Sequence, residues 1–235
     1  MKHASFLLLM LSFSACTGAF FDVSGNGNIV SENREIQDFS RIHLKGGYQV
    51  LITEGNTPSV EIETDENLME YIKTEVKGDR LIIESTSSLY SQSGIVINIT
   101  YTSLEAIDVS GAASVENYGT VAGESLDMNI SGAAEIDLKV DVMELDINTS
   151  GAGSLSLSGE AQDASFSLSG AGNVEAYSLT TTDCKVSVSG VGGAEVYVTG
   201  RLDAQVSGVG GISYKGDPED VSQKVSGIGS IGEAN

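Results

Sequence analysis

One short pattern recurs along the second half of the chain and limits its fold more than any other feature. A Ser-Gly pair followed by a small apolar residue stands at Ser110-Gly111-Ala112, Ser131-Gly132-Ala133, Ser150-Gly151-Ala152 and Ser169-Gly170-Ala171. It returns at Ser189-Gly190-Val191, Ser207-Gly208-Val209 and Ser226-Gly227-Ile228, at successive spacings of 21, 19, 19, 20, 18 and 19 residues. A piece of chain this short cannot bury its own apolar face, so a near-constant period of about 19 residues implies stacked copies sharing one core. A β-propeller blade needs about twice that period.

Residues around each marker alternate with period two, the pattern of a strand with one face buried. Leu126, Met128 and Ile130 precede the second marker, Ala164, Phe166 and Leu168 the fourth, and Cys184, Val186 and Val188 the fifth. After the marker, Val115, Ile136 with Leu138, Leu155 with Leu157, Val174 with Ala176 and Ile212 with Tyr214 occupy a second inward set. Each repeat therefore reads as two strands joined by corners. The expected fold is all-β: a single-stranded right-handed β-helix whose coils hydrogen-bond at about 4.8 Å spacing, making a rod of roughly 34 Å over seven coils. The corner Gly is expected to supply a positive φ. The Ser is expected to bond its own turn or the next Ser in the stack.

Upstream, residues 29–103 lack the periodic series of markers but still alternate, at Arg41–Leu44, Tyr48–Ile52, Ser59–Glu63 and Arg80–Glu84. Only Asp65–Lys73 reads as helical, with Asp65 as N-cap and Leu68, Met69 and Ile72 toward the core. This section is expected to form irregular capping coils ahead of the regular coils of 104–235. The far end, Ile228–Asn235, carries no polar cap, which predicts an open strand edge able to pair with a second copy.

The first fifteen residues form a targeting segment: Lys2, then an apolar run from Phe6 to Leu11, then Phe13-Ser14-Ala15 before Cys16. A signal ending at a cysteine resembles a bacterial lipoprotein signal, with Phe13 in place of the usual Leu. That resemblance implies cleavage before Cys16 and acyl chains on it, a tether over 16–28, and a β-helical domain over 29–235. The expected location is the cell envelope, as an outer-membrane lipoprotein, with its side of the membrane open.

The chain also resembles the head GIN domain family of exported Bacteroidetes proteins, labelled auto-transporter adhesins. The likeness rests on Asp38-Phe39-Ser40-Arg41-Ile42, Gly46-Gly47 to Ile52, Asp65-Glu66-Asn67-Leu68, Tyr71 to Val76 and the serial Ser-Gly corners. It implies a right-handed β-helix and carries over no catalytic residue.

A net charge of −21, or −22 once Lys2 is removed with the signal, repels phosphate and argues against nucleic-acid partners. His43 is the one histidine after residue 15, too few for a multi-His metal site, and its place in an alternating strand suits a structural role. No Gly-x-Ser-x-Gly elbow is present, and the Ser-Gly-x-Gly runs lack the Lys of a phosphate loop and the Asp of calcium-binding repeats. No metal and no cofactor are expected. Cys184 has no disulfide partner if Cys16 is acylated, and behaves as a small inward hydrophobe.

One outward arrangement suggests binding. Glu116 with Tyr118, Glu175 with Tyr177 and Glu195 with Tyr197 lie five and seven residues past a marker Gly. Aromatic rings stack on sugar faces and carboxylates accept sugar hydroxyls, so these six residues are a candidate glycan strip. The bland alternative is that tyrosines favour strands and cover corners. The reading is a non-catalytic, lipid-anchored adhesin or binding scaffold with an envelope protein or glycan as partner. The alternative is a carbohydrate-active β-helix with paired carboxylates in a cleft.

Overall fold

A computed structural model describes residues 22–234, and the signal segment and Cys16 lie outside the described residues. The strands in chain order are β1 (Val23–Ser24), β2 (Ile29–Glu35), β3 (Arg41–Lys45), β4 (Gly47–Glu54), β5 (Ser59–Asp65), β6 (Ile72–Lys77), β7 (Arg80–Ser85), β8 (Leu89–Tyr90) and β9 (Val96–Tyr101). They continue as β10 (Ala106–Val109), β11 (Ala112–Tyr118), β12 (Val121–Ile130), β13 (Ala133–Thr149), β14 (Ala152–Leu168), β15 (Ala171–Val188), β16 (Val191–Val206), β17 (Val209–Gly216), β18 (Asp220–Val225) and β19 (Ile228–Glu233). Strand makes up 74% of the described residues, stacked in parallel coils about 19 residues apart: a β-solenoid of about seven turns.

The Ser-Gly pairs form a single ridge. Ala112, Ala133, Ala152, Ala171, Val191, Val209 and Ile228, each just past its marker, are register partners from coil to coil. The inward sets on both sides of the ridge are buried as expected, with Thr149 and Tyr214 only half-buried. Phe166, at 1% exposure, is the largest side chain of the regular coils' core.

Three details differ from expectation. First, the four central coils are single bent strands of 16 to 18 residues, interrupted only at Ser-Gly. The second corner is a slip in the alternation, two successive outward residues such as Met143-Glu144 or Gln162-Asp163, and the ladder passes over one residue of each coil there, Met143 and Gln162 among them.

Second, none of the corner glycines has a positive φ. Gly is required there because the coils approach too closely for a side chain. A Cβ on Gly132, Gly151 or Gly170 would lie inside van der Waals distance of the carbonyl oxygen of Gly111, Gly132 or Gly151 below it. The column also extends to an eighth member, Gly46, whose carbonyl lies under Gly111 and against which the Tyr48 ring packs. Third, the serines bond neither their own turn nor one another. The amides of Ser131, Ser150 and Ser169 donate to Val109, Ile130 and Thr149, each the residue before the serine one coil down. The Ser169 hydroxyl adds a bond to the same Thr149 carbonyl at 3.0 Å.

The first section inverts the chain order. β3 lies between β7 and β10, and β4 between β9 and β11, so the coil formed first occupies the second level. The lowest coil, β7 with β9, is closed by antiparallel strands: β6 on β7, β5 on β9, and β2 outside β5. The β6–β7 reversal turns at Gly78-Asp79, with Gly78 at a φ of +66°.

The expected helix over Asp65–Lys73 is a single 3-10 segment, Glu66–Tyr71, and Lys73 belongs to β6. Asp65 makes no side-chain cap. Its buried carboxylate instead accepts the Gly27 N–H, and Asn67 bonds both Asn26 and Ser24, strapping residues 24–27 across the cap. The Ser91 hydroxyl beside it and the Gly27 N–H hold the Asp65 carboxyl below the usual carboxylate range.

Candidate binding face

Beyond each Ser-Gly corner, outward side chains form ladders. Glu116 leads in register through Asp137, Ser156, Glu175, Glu195 and Ser213 to Gly232. The structure therefore divides the six strip residues. Glu175 and Glu195 are partners on adjacent coils, which also carry Tyr177 and Tyr197, while Glu116 and Tyr118 lie three coils away, roughly 14 Å at the spacing of paired strands.

The 20-residue spacing between Gly170 and Gly190 leaves an extra residue in β15. The ladder slips at Ser156/Ser158 on one side and between Ala176 and Thr180 on the other, which places Tyr177 in a bulge. The Lys215 ammonium then reaches across and sits 4.9 Å from the Tyr177 ring centroid, a cation–π contact. Tyr177 and Tyr197 are half-buried, whereas Tyr118 is 75% exposed.

Alongside these residues runs a groove of about 460 Å³. Gly193, Gly211, Ser213, Ser230 and Gly232 line its floor, and Glu175, Glu195 and Glu233 stand along it. No other described side chain bonds or pairs with those three carboxylates. Asn173 closes one end, its Oδ1 accepting the Gly193 N–H at 2.9 Å. Lys215, Glu233 and the glycine floor escaped the sequence reading. A signal for the floor was present: three residues past each marker Gly the chain runs Asn173, Gly193, Gly211, Ser230, leaving little side chain on the last coils.

A second hollow of about 390 Å³ lies before the corner, between Glu144, Asp163 and Asp183 and the basic Lys185 and Arg201. Among the described residues no group of three or more His, Cys, Asp or Glu is arranged to hold a metal.

His43 makes a contact that demands a catalytic check, since its Nε2 lies 3.0 Å from Ser110 Oγ. A nucleophile–base pair also needs a carboxylate to orient the ring. Asp108 is the register partner of His43, but its carboxylate pairs with Arg80 at 3.4 Å and accepts from Asn129 at 3.0 Å. Burial and Lys45 lower the His43 pKa. The pair therefore serves as a corner bond between the second and third levels. Cys184 is buried in the core, and burial pushes its thiol up to about 12, which leaves no nucleophile there.

A rod of stacked parallel coils with long flat outward ladders and a shallow groove belongs to the class of β-solenoid proteins. Residues 38–218 match the family described as "Putative auto-transporter adhesin, head GIN domain", and the chain belongs to it. It is similar to the crystal structure of a "putative adhesin" from Bacteroides fragilis NCTC 9343, at 25% identity and a TM-score of 0.87, covering 90% of this chain and 100% of that one. It is also similar to a "putative lipid binding protein" from Parabacteroides distasonis ATCC 8503, at 26% identity and a TM-score of 0.70, covering 91% and 99%. A "putative adhesin" from the same organism matches at 25% identity and a TM-score of 0.69, covering 90% and 99%. No curated protein matches the chain. No helix among the described residues is long and apolar enough to cross a membrane.

Proposed function

We propose that this chain is a non-catalytic adhesin of the cell envelope, tethered by acyl chains on Cys16 and binding glycan along the Glu175–Tyr197 face. The carrying observation is the groove lined by Glu175, Glu195 and Glu233, with Tyr177 and Tyr197 two residues along the chain from the first two; no other described side chain pairs with those carboxylates. Unpaired acceptors next to aromatic rings match a ligand with many hydroxyl donors and apolar ring faces. Glu175 and Glu195 stand in one row on one flat face, whereas glycoside hydrolysis places two carboxyl groups on either side of the scissile bond.

A glycan array read with wild type and with Tyr177→Ala/Tyr197→Ala tests the face. The expected result is a loss of at least tenfold in binding, about 1.4 kcal/mol. Equal binding by both proteins removes the strip. Release of reducing ends from a bound glycan by the wild type overturns the non-catalytic reading. For the tether, Cys16→Ala should shift the protein from the membrane fraction to the soluble envelope fraction. Protease shaving of intact cells then reports which side it faces.

A further inference from the structure

Where the chain crosses the cap it reads Ser24-Gly25-Asn26-Gly27-Asn28, and Asn26 is the one asparagine of the sequence followed by glycine. The side-chain carbon of an asparagine and the next backbone nitrogen are four bonds apart, so joining them closes a five-membered ring. A side chain on the following residue would crowd that nitrogen, and Gly27 has none. Asn26 and Gly27 are exposed, Gly27 has a φ of +81°, and nothing lies within 4 Å of its Cβ position.

The hydrogen bonds of this turn fall on the atoms such a ring closure uses. The Gly27 N–H donates to Asp65 Oδ1 at 2.5 Å. The Asn26 Oδ1, on the carbon to be attacked, accepts the Asn28 N–H at 2.9 Å. The Asn26 N–H donates to Asn67 Oδ1 at 2.9 Å, which fixes the residue from its other side. Asp65 is only 2% exposed, and a Cβ on Gly25 would overlap its carboxyl group, so the turn lies directly on the carboxylate.

We propose that Asn26-Gly27 is a self-modifying site at which Asp65 acts as general base. Asp65 takes the Gly27 amide proton as the nitrogen bonds to Asn26 Cγ. Negative charge gathers on Asn26 Oδ1, where the Asn28 N–H already donates. The Cγ–Nδ2 bond then breaks, the proton passes from Asp65 through water to the departing nitrogen, and ammonia leaves. Water opens the resulting succinimide at either carbonyl, giving aspartate or β-linked isoaspartate at residue 26.

The same chemistry releases the strap. In the ring, Gly27 has no N–H, so Asp65 loses its backbone partner. Either final product sets a new carboxylate near Asp65 and Glu66, the latter already bonded to Asn28 Nδ2 at 2.9 Å. Loss of ammonia makes the change one-way, a slow clock rather than a switch. Residues 22–28 join the proposed Cys16 tether to the cap, so loosening them lengthens the free chain between membrane and rod. That last step rests on the tether.

The mature chain carrying Cys16→Ser, held folded or unfolded in guanidinium chloride at one pH, tests the chemistry by peptide mass spectrometry. The folded chain should lose the mass of ammonia at Asn26 and then gain the mass of water. General-base help is worth about 10²–10⁴-fold, so this should run at least tenfold faster folded than unfolded. Asp65→Asn should bring the folded rate down to the unfolded one. A folded wild type that reacts no faster than the unfolded chain overturns the site, and that comparison holds even if Asp65→Asn misfolds. An undiminished rate in a folded Asp65→Asn overturns the role of Asp65. Amide exchange of residues 22–28 should quicken in the modified chain while β13 to β15 stay unchanged; unaltered exchange in 22–28 overturns release of the strap. If metabolic acyl labelling leaves Cys16 bare, the lengthened tether falls while the mass-spectrometric result stands.

Discussion

At the scale of single residues, the corner glycine decides how closely coils stack. Gly151→Ala sets a methyl against the Gly132 carbonyl, so the coils must separate at their tightest point. Overpacking of this kind costs about 1–3 kcal/mol, to be read as a drop in urea midpoint. Gly47→Ala is the control, because nothing lies within 4 Å of its Cβ position and Ala112 fills the equivalent place above. It should change stability by less than about 0.5 kcal/mol. Inside the stack, Phe166→Ala removes the largest apolar side chain of the regular coils and should cost about 3–5 kcal/mol. Cys184, with its thiol pushed up to about 12 by burial, should resist thiol reagents in native buffer and react once urea opens the coils. Rapid labelling of the folded chain would contradict this placement.

Among the elements, the cap depends on a carboxylate where a helix start was expected. Asp65 holds residues 24–27 down through the Gly27 amide, with Asn67 bonding the flanking Ser24 and Asn26. The Asp65 carboxyl is depressed below its ordinary value by Ser91 and Gly27. Its contribution to stability is thus fully present above the unfolded carboxylate range, near pH 4, and is lost as pH falls through the lower folded value. Asp65→Asn should flatten this acid dependence in urea titrations between about pH 5 and pH 2. It should also speed proteolysis and hydrogen exchange in residues 22–28. An unaltered acid profile would show that other carboxylates set it.

For the whole molecule, the solenoid is close to one-dimensional, each coil touching only its neighbours, so stability is a sum of local interfaces. The cap end has antiparallel strands on its lowest coil, and every residue of β18 is exposed. Amide exchange should therefore run as a gradient, fastest in 220–233, and slowest in β13 to β15, where strands are paired on both sides. Uniform exchange along the stack would refute this picture.

Chain order and local chemistry alone determined the coil, its period and its inward residues. The alternation around Leu126, Phe166 and Val186 is a local consequence of strand geometry, and the repeat shows that the same geometry recurs. The pairing of Glu175 with Glu195 was legible for the same reason: they share a position in neighbouring repeats, whereas the bulge takes Tyr177 out of register with Tyr197. What only the tertiary structure decided depends on contacts between distant segments. Gly46 joins the glycine column 65 residues before Gly111, because β3 and β4 are inserted between the lowest coil, β7 with β9, and β10 with β11. Asp65 straps the N-terminal segment because β2 and β5 bring Gly27 to it. Lys215 reaches Tyr177 because a bulge two coils below turns that ring into its path. A period specifies which residues stack when the chain climbs one coil at a time, and it is silent wherever the chain folds back on itself.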